Sequence, residues 1–202
     1  MKRVGAFETA ERELVVGERR LRLLAPRSIE ALHDAEGPSP PYWADLWPSA
    51  LVVAAELGRR DLTGIRAVEL GCGLGLGAIV AALAGAEVIA TDIDPSAVAF
   101  ARENGRRVLG RRLTTMQVDF TDPPAALLAL APFDLVIAAD VLYADGLATG
   151  LAAALAALVR PGGEALVAYP WRGQAEELLA ALDWPYEERV EGDVRVVQLT
   201  RG

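Results

Sequence analysis

From residue 65 onward the chain alternates between two hydrophobic rhythms. Short runs at 65–70, 86–91, 113–119, 133–139 and 163–169 read as strands, four of them near-continuous in Val, Ile, Leu and Ala. Near-continuous apolar runs of that length fit a parallel sheet covered on both faces. Between them, apolar positions at helical spacing fit helices over 75–84, 95–109, 124–130, 145–159 and 173–182. Asp94 followed by Pro95 marks the start of the second of these helices, and Gly110 its end. The alternation stops near the C-terminus. Tyr186 to Val190 and Val194 to Leu199 flank Glu191-Gly192-Asp193 with no room for a helix between them, so they form a hairpin and the last strand runs antiparallel. The pattern predicts an α/β fold: a seven-stranded mixed sheet with helices on both faces. Upstream, residues 11–25 alternate around Gly17-Glu18 as a β-hairpin, and Ser28 is placed to cap a short helix ending near Asp34. Pro48 fits the first position of a helix running to Leu57 and stopped by Gly58. The expected organisation is one domain over 1–202, with an extension over 1–60 and a core over 61–202.

Composition narrows the classes. A chain of 202 residues that is 52% hydrophobic can bury one substantial core. The longest apolar stretches, such as Leu151 to Val159, are about half the length that crosses a bilayer. No apolar targeting segment stands at the N-terminus, so the expectation is a cytoplasmic protein without a membrane partner. A single cysteine, Cys72, and a single histidine, His33, leave no structural zinc site and no disulfide framework, and no metal is expected. Cys72 reads as a small buried residue and His33 as a poor choice for a catalytic base. Net charge is −8, yet residues 1–27 carry seven basic and four acidic side chains. Phosphate binding needs a basic surface, so nucleic acid is disfavoured for the acidic body of the chain.

The chemistry concentrates where strands end. Val68-Glu69-Leu70-Gly71-Cys72-Gly73-Leu74-Gly75 is an apolar run ending in an acid and then in glycines at alternate positions. That is how a buried strand turns into a helix while a ligand lies against the backbone. Asp92 closes the next strand, where a ribose would be gripped, so the pattern points to an adenosine-containing cofactor. A dinucleotide fingerprint requires a third glycine at position 76, which is Leu76. Glu69 would also face the pyrophosphate of NAD at close range and repel it, whereas it suits the cationic amino group of S-adenosylmethionine (SAM). Asp119 is placed to accept from the adenine amino group. Glu69, Asp92, Asp119 and Asp140 form one acidic rim at four strand ends.

Over roughly residues 42–170 these features resemble the class I, seven-stranded SAM-dependent methyltransferases, whose sheet is Rossmann-like. Three segments sharpen the resemblance: Pro41-Tyr42-Trp43-Ala44-Asp45-Leu46-Trp47-Pro48, the run Phe133 to Tyr143, and Pro161-Gly162-Gly163. They look like the group of small protein-lysine methyltransferases that includes enzymes acting on the β-subunit of electron transfer flavoprotein. Asp140 and Tyr143 match that group's acid-x-x-aromatic motif, and Trp43 and Trp47 its aromatic segment. The resemblance implies SAM as cofactor, held by Trp47, Glu69, Gly71, Gly73, Gly75, Asp92, Ile93, Asp119, Phe120 and Ala139. It implies a protein lysine as acceptor, with Asp140 and Tyr143 as catalytic residues. An unperturbed lysine is neutral in only about one copy in 2,500 at pH 7, a gap of roughly 4.6 kcal/mol. Asp140 is therefore expected to orient the amine by hydrogen bonding and help remove its proton, with Tyr143 as a wall for the lysine stem. Trp43 and Trp47, four apart, would share one face of a helix, and Trp171 would line the substrate entrance or a surface loop. Two alternatives stay open: a small-molecule N- or O-methyltransferase, and a SAM-binding protein without catalysis. An NAD oxidoreductase is the most distant reading.

Overall fold

The computed structural model describes residues 3–28, 41–170 and 174–202. The chain opens with a three-stranded antiparallel sheet, β1 (Arg3–Val4), β2 (Phe7–Val16) and β3 (Arg19–Pro26), in the order β1-β2-β3. The hairpin turns at Gly17-Glu18 as expected, but β2 begins at Phe7, because Thr9 and Ala10 continue the pairing opposite Pro26 and Ala25. A 3₁₀ turn over Tyr42–Ala44 follows, then α1 (Pro48–Leu57) with proline in its first turn. The short helix expected after Ser28, His33 and Trp171 lie outside the described residues.

The main sheet alternates strand and helix: β4 (Arg66–Leu70), α2 (Leu76–Leu83), β5 (Glu87–Asp92), α3 (Pro95–Leu109), β6 (Thr114–Gln117), α4 (Ala125–Leu128), β7 (Phe133–Ala139), α5 (Leu147–Leu158), β8 (Val159–Pro170), α6 (Gln174–Leu182), β9 (Tyr186–Glu191) and β10 (Val194–Thr200). Its order is β6-β5-β4-β7-β8-β10-β9. Strands β6 to β8 pair in parallel, and β10 is antiparallel to both β8 and β9. Both faces are covered. Leu23, Val53, Leu57 and Ile79 fill one side, and Phe133, Leu151, Leu155 and Leu178 the other. No helix among the described residues is long and apolar enough to cross a membrane.

Helix α3 keeps its expected bounds. The Asp94 carboxylate accepts from the Ser96 amide at 2.6 Å, and Gly110 closes the helix in the left-handed conformation. Three elements depart from expectation. β6 stops at Gln117, because after Val118 the chain turns, with the Asp122 amide bonded to the Asp119 carbonyl. α4 ends at Leu128, a few residues before Pro132, which disfavours helix in the residue preceding it. β8 begins at Val159 rather than 163: its pairing with β7 shifts register between Phe133 and Leu135, and the Arg160-to-Gly163 stretch is tied down by Arg201 main-chain bonds to Gly162 and Gly163.

One side chain joins the two sheets. Asn104 on α3 is fully buried, accepts from the Leu24 amide at 2.7 Å, and donates to the Leu24 and Leu74 carbonyls at 3.0 Å each. Every polar atom of that amide group has a main-chain partner, which is what its burial requires. The N-terminal sheet is thereby fastened to the loop that follows β4.

Candidate active site

The chain leaves β4 toward β5 on one side of the sheet, and returns to β7 on the other. That reversal opens a crevice at the carboxyl ends of the strands, where ligands bind in open α/β sheets. A pocket of about 670 Å³ occupies it. Of the residues the sequence singles out, Trp47, Glu69, Gly71, Gly73, Asp92, Ile93, Asp119, Phe120, Ala139, Asp140 and Tyr143 all line this pocket. Gly75 does not. Its φ is +84°, and a Cβ there would stand 2.9 Å from Ala101 Cβ, so this glycine lets α3 pack against the loop rather than meeting a ligand.

The glycine loop is shaped by what surrounds it. Gly73 has φ +50°, and a Cβ would reach 3.0 Å from the Trp43 carbonyl oxygen. Its amide donates to Asp92 Oδ2 at 2.8 Å, while Asp92 Oδ1 accepts from the Asp94 amide at 3.0 Å. Asp92 is therefore fixed in orientation by main-chain donors, at the end of β5. Burial raises its carboxyl above the ordinary carboxylate range against the opposing pull of those amides.

Glu69, next to last in β4, is 3% exposed. Its Oε2 accepts from the Ala78 amide at 2.8 Å, at the start of α2. Burial raises its carboxyl to about 8, helped by the Asp92 charge and opposed by the Ala78 and Gly77 amides. A Cβ on Gly77 would collide with Glu69 Oε1, so that glycine makes room for the acid. Cys72 is buried, and burial with the two nearby carboxylates drives its thiol well above the usual range, which removes it as a nucleophile.

Asp140 follows the last residue of β7 and holds φ +58°, a left-handed conformation tolerated by Asp and rare in other residues with a Cβ. Its amide still donates to the Ala168 carbonyl at 2.9 Å, so the strand pairing continues while the backbone turns. Such outliers persist where surrounding structure fixes them, and they concentrate at functional sites. Tyr143 is 49% exposed at the mouth of the pocket, and its phenol is raised by partial burial and the Asp92 charge.

The aromatic segment is rearranged relative to expectation. Trp43 sits in the 3₁₀ turn and Trp47 is extended, just before α1, so the two do not share a helix face. Trp43 packs with Phe7 and Phe100, ring centroids 5.8 and 5.3 Å away. Trp47 lies at the pocket, its indole N–H donating to the Tyr42 carbonyl at 2.8 Å. Tyr42, to which the sequence pattern assigned no role, stands between Trp47 and Tyr143, with centroids 5.9 and 5.3 Å away. Asp45 likewise carried no assignment and lines the pocket. Asp119 lies beyond the end of β6 rather than in it, and its Oδ1 accepts from the Thr121 amide and hydroxyl at 2.9 and 2.6 Å. That turn engages one carboxylate oxygen while the residue remains on the pocket wall.

The lining thus gathers six carboxylates, from Asp45, Glu69, Asp92, Asp94, Asp119 and Asp140, and no Lys, Arg or His among the described residues. It can hold a positively charged ligand and reject a phosphate.

Comparison with known proteins agrees with this geometry. The ribosomal protein L11 methyltransferase of Pseudomonas aeruginosa is 37% identical over 160 residues, covering 74% of this chain and 50% of that protein. The protein N-lysine methyltransferase METTL21A of Danio rerio is 36% identical over 107 residues, covering 50% of this chain and 49% of that protein. The chain spans about half the length of these relatives. Among solved structures, the T. thermophilus 16S rRNA N2 G1207 methyltransferase RsmC superposes with a TM-score of 0.73 at 18% identity, over 96% of this chain and 51% of that one. That likeness establishes the fold, a seven-stranded Rossmann-like sheet. Residues 43–181 match the lysine methyltransferase family, and the chain belongs to that family.

Proposed function

We propose that the protein is a SAM-dependent methyltransferase acting on the side-chain amine of a protein lysine. The observation that carries this reading is the lining of the crevice: carboxylates from four strand ends and the 3₁₀ segment, exposed aromatics at the mouth, and no basic group among the described residues. Such a wall suits a cationic cofactor and a cationic acceptor together. It disfavours acceptors that arrive attached to phosphates. The lysine acceptor also agrees with the family and with the name of the Danio rerio relative.

The residues fit the cofactor on a structural test. Gly73 lets the glycine loop come against the Trp43 carbonyl while lining the pocket, and Asp92 is held by two amides in a fixed orientation. In this reading Asp92 takes the ribose hydroxyls, Glu69 faces the amino group, and Trp47, Ile93, Asp119, Phe120 and Ala139 enclose the rest. When bound, SAM supplies an electrophilic methyl group on a sulfonium. The protein's own task is to present a neutral amine in line with it. Asp140 accepts a hydrogen bond from the amine and fixes its direction. Tyr42, Trp47 and Tyr143 wall off water around the lysine stem and lower the ammonium's stability by desolvation. A raised phenol makes Tyr143 a contact surface rather than a proton acceptor.

Incubating the purified protein with methyl-labelled SAM and a lysate of its own organism tests the reading. Label in a protein band, mapped to lysine, is the expected result. Label confined to small molecules would transfer the assignment to a metabolite amine or hydroxyl. SAM binding without any transfer would leave a binding protein.

A further inference from the structure

Arginine is concentrated in two segments that do not line the acidic crevice. Residues 3–27 and 102–112 hold eleven of the nineteen arginines in a chain whose net charge is −8. The two segments are neighbours in space, since β3 packs on α3 and Asn104 bonds to Leu24. Between them lies a second concavity of about 630 Å³, lined by Arg19, Arg20, Arg22 and Arg107 over an apolar floor of Leu21, Leu83 and Val108.

These guanidiniums are set for carboxylates. Glu13 already bridges Arg20 and Arg22, at 2.5 and 3.1 Å, and Glu11 reaches Arg107 at 2.5 Å. Arg19 is exposed and makes no ion pair with a described carboxylate.

We infer that this concavity is a docking site for an acidic segment of the methyl-acceptor protein, whose carboxylates engage the arginines while its apolar side chains cover Leu21, Leu83 and Val108. The inference rests on the reading that the acceptor is a protein. One observation favours an acidic protein segment over RNA: no aromatic ring among the described residues lines the concavity to stack a base. The site lies on β3, which is bonded through Asn104 to the glycine-loop carbonyl of Leu74, so a docked segment is held at a fixed separation from the crevice.

Fluorescence anisotropy of fluorescein-labelled octaglutamate, titrated with the whole protein saturated with SAM, tests the site without any methyl transfer. The wild type binds, more weakly as salt rises. The paired substitution Arg19→Gln with Arg20→Gln weakens binding by roughly tenfold, and Arg19→Glu with Arg20→Glu by more. SAM affinity stays unchanged in both, which reports that the variants are folded. With the acceptor protein that the lysate labelling finds, the same variants raise KM and leave kcat in place. No binding of octaglutamate, or binding untouched by both variants, overturns the inference while leaving the methyltransferase reading intact. Displacement of octaglutamate by single-stranded RNA at far lower concentration overturns the acidic-protein assignment. Absence of any labelled protein would instead sink the functional reading, whatever the peptide does.

Discussion

Glu69 is a residue whose surroundings change its ordinary chemistry. With its carboxyl raised to about 8, the folded protein binds a proton that the unfolded chain releases above the ordinary carboxylate range. Stability without cofactor therefore falls as pH rises from about 5 to 8, by at most roughly 1.4 kcal/mol per pH unit. Calorimetric melting across that range should show the decline, and Glu69→Gln should flatten it. A cation in the crevice reverses the balance, so SAM should stabilise the wild type more at pH 8 than at pH 6. Asp140 makes a different prediction. Asp140→Asn keeps the side chain's size, so SAM affinity by calorimetry should change by no more than about twofold, while transfer to lysine falls by about a hundredfold. Full turnover in that variant would remove Asp140 from the mechanism. Glu69, Asp92 and Asp140 were legible because each ends an apolar run, a local signal. Tyr42 and Asp45 carried no such signal; only the fold of the 3₁₀ turn against the end of β7 brings them to the pocket.

At the scale of elements, the contact that matters is between α3, β3 and the glycine loop. Asn104→Ala would leave the Leu24 amide and two carbonyls buried without partners, at a cost of about 2–4 kcal/mol. A drop in melting temperature together with weaker SAM binding would show that the N-terminal sheet supports the loop; a drop in stability alone would confine the role to packing. Most element positions could be read from the chain because period and punctuation agreed, as at Asp94-Pro95 and Gly110. The errors arose where pairing overrides local pattern. β8 extends back through Pro161-Gly162-Gly163 because Val159 pairs with Phe133 and the Arg201 main chain secures the bulge. Trp43 and Trp47 have α-helical spacing but share no α-helix, since Trp43 lies in the 3₁₀ turn and Pro48 begins the helix only after Trp47.

For the whole molecule, the separation of charge sets the response to salt. On the proposed function, the acidic crevice draws a lysine-bearing acceptor by attraction that ions screen, so KM for the acceptor should climb with ionic strength while kcat holds. Steady-state rates at low and high salt measure this, and a KM indifferent to salt would show that shape alone selects the acceptor. The order of the main sheet has a consequence of another kind. Strand β9 reaches the sheet only through β10, which is inserted between it and β8. Until β10 pairs, β8 is an open edge lined with Val and Ala, the kind of surface that recruits other chains. The hairpin is the remedy. Its two strands meet by local pairing, and β10 then closes the edge over seven residue pairs from Val194 to Thr200. What remains exposed is β9, where Glu187, Glu188, Arg189 and Glu191 make a poor template for aggregation. The antiparallel hairpin that breaks the regular alternation is thus a closure, protecting the nascent parallel sheet from its own edge.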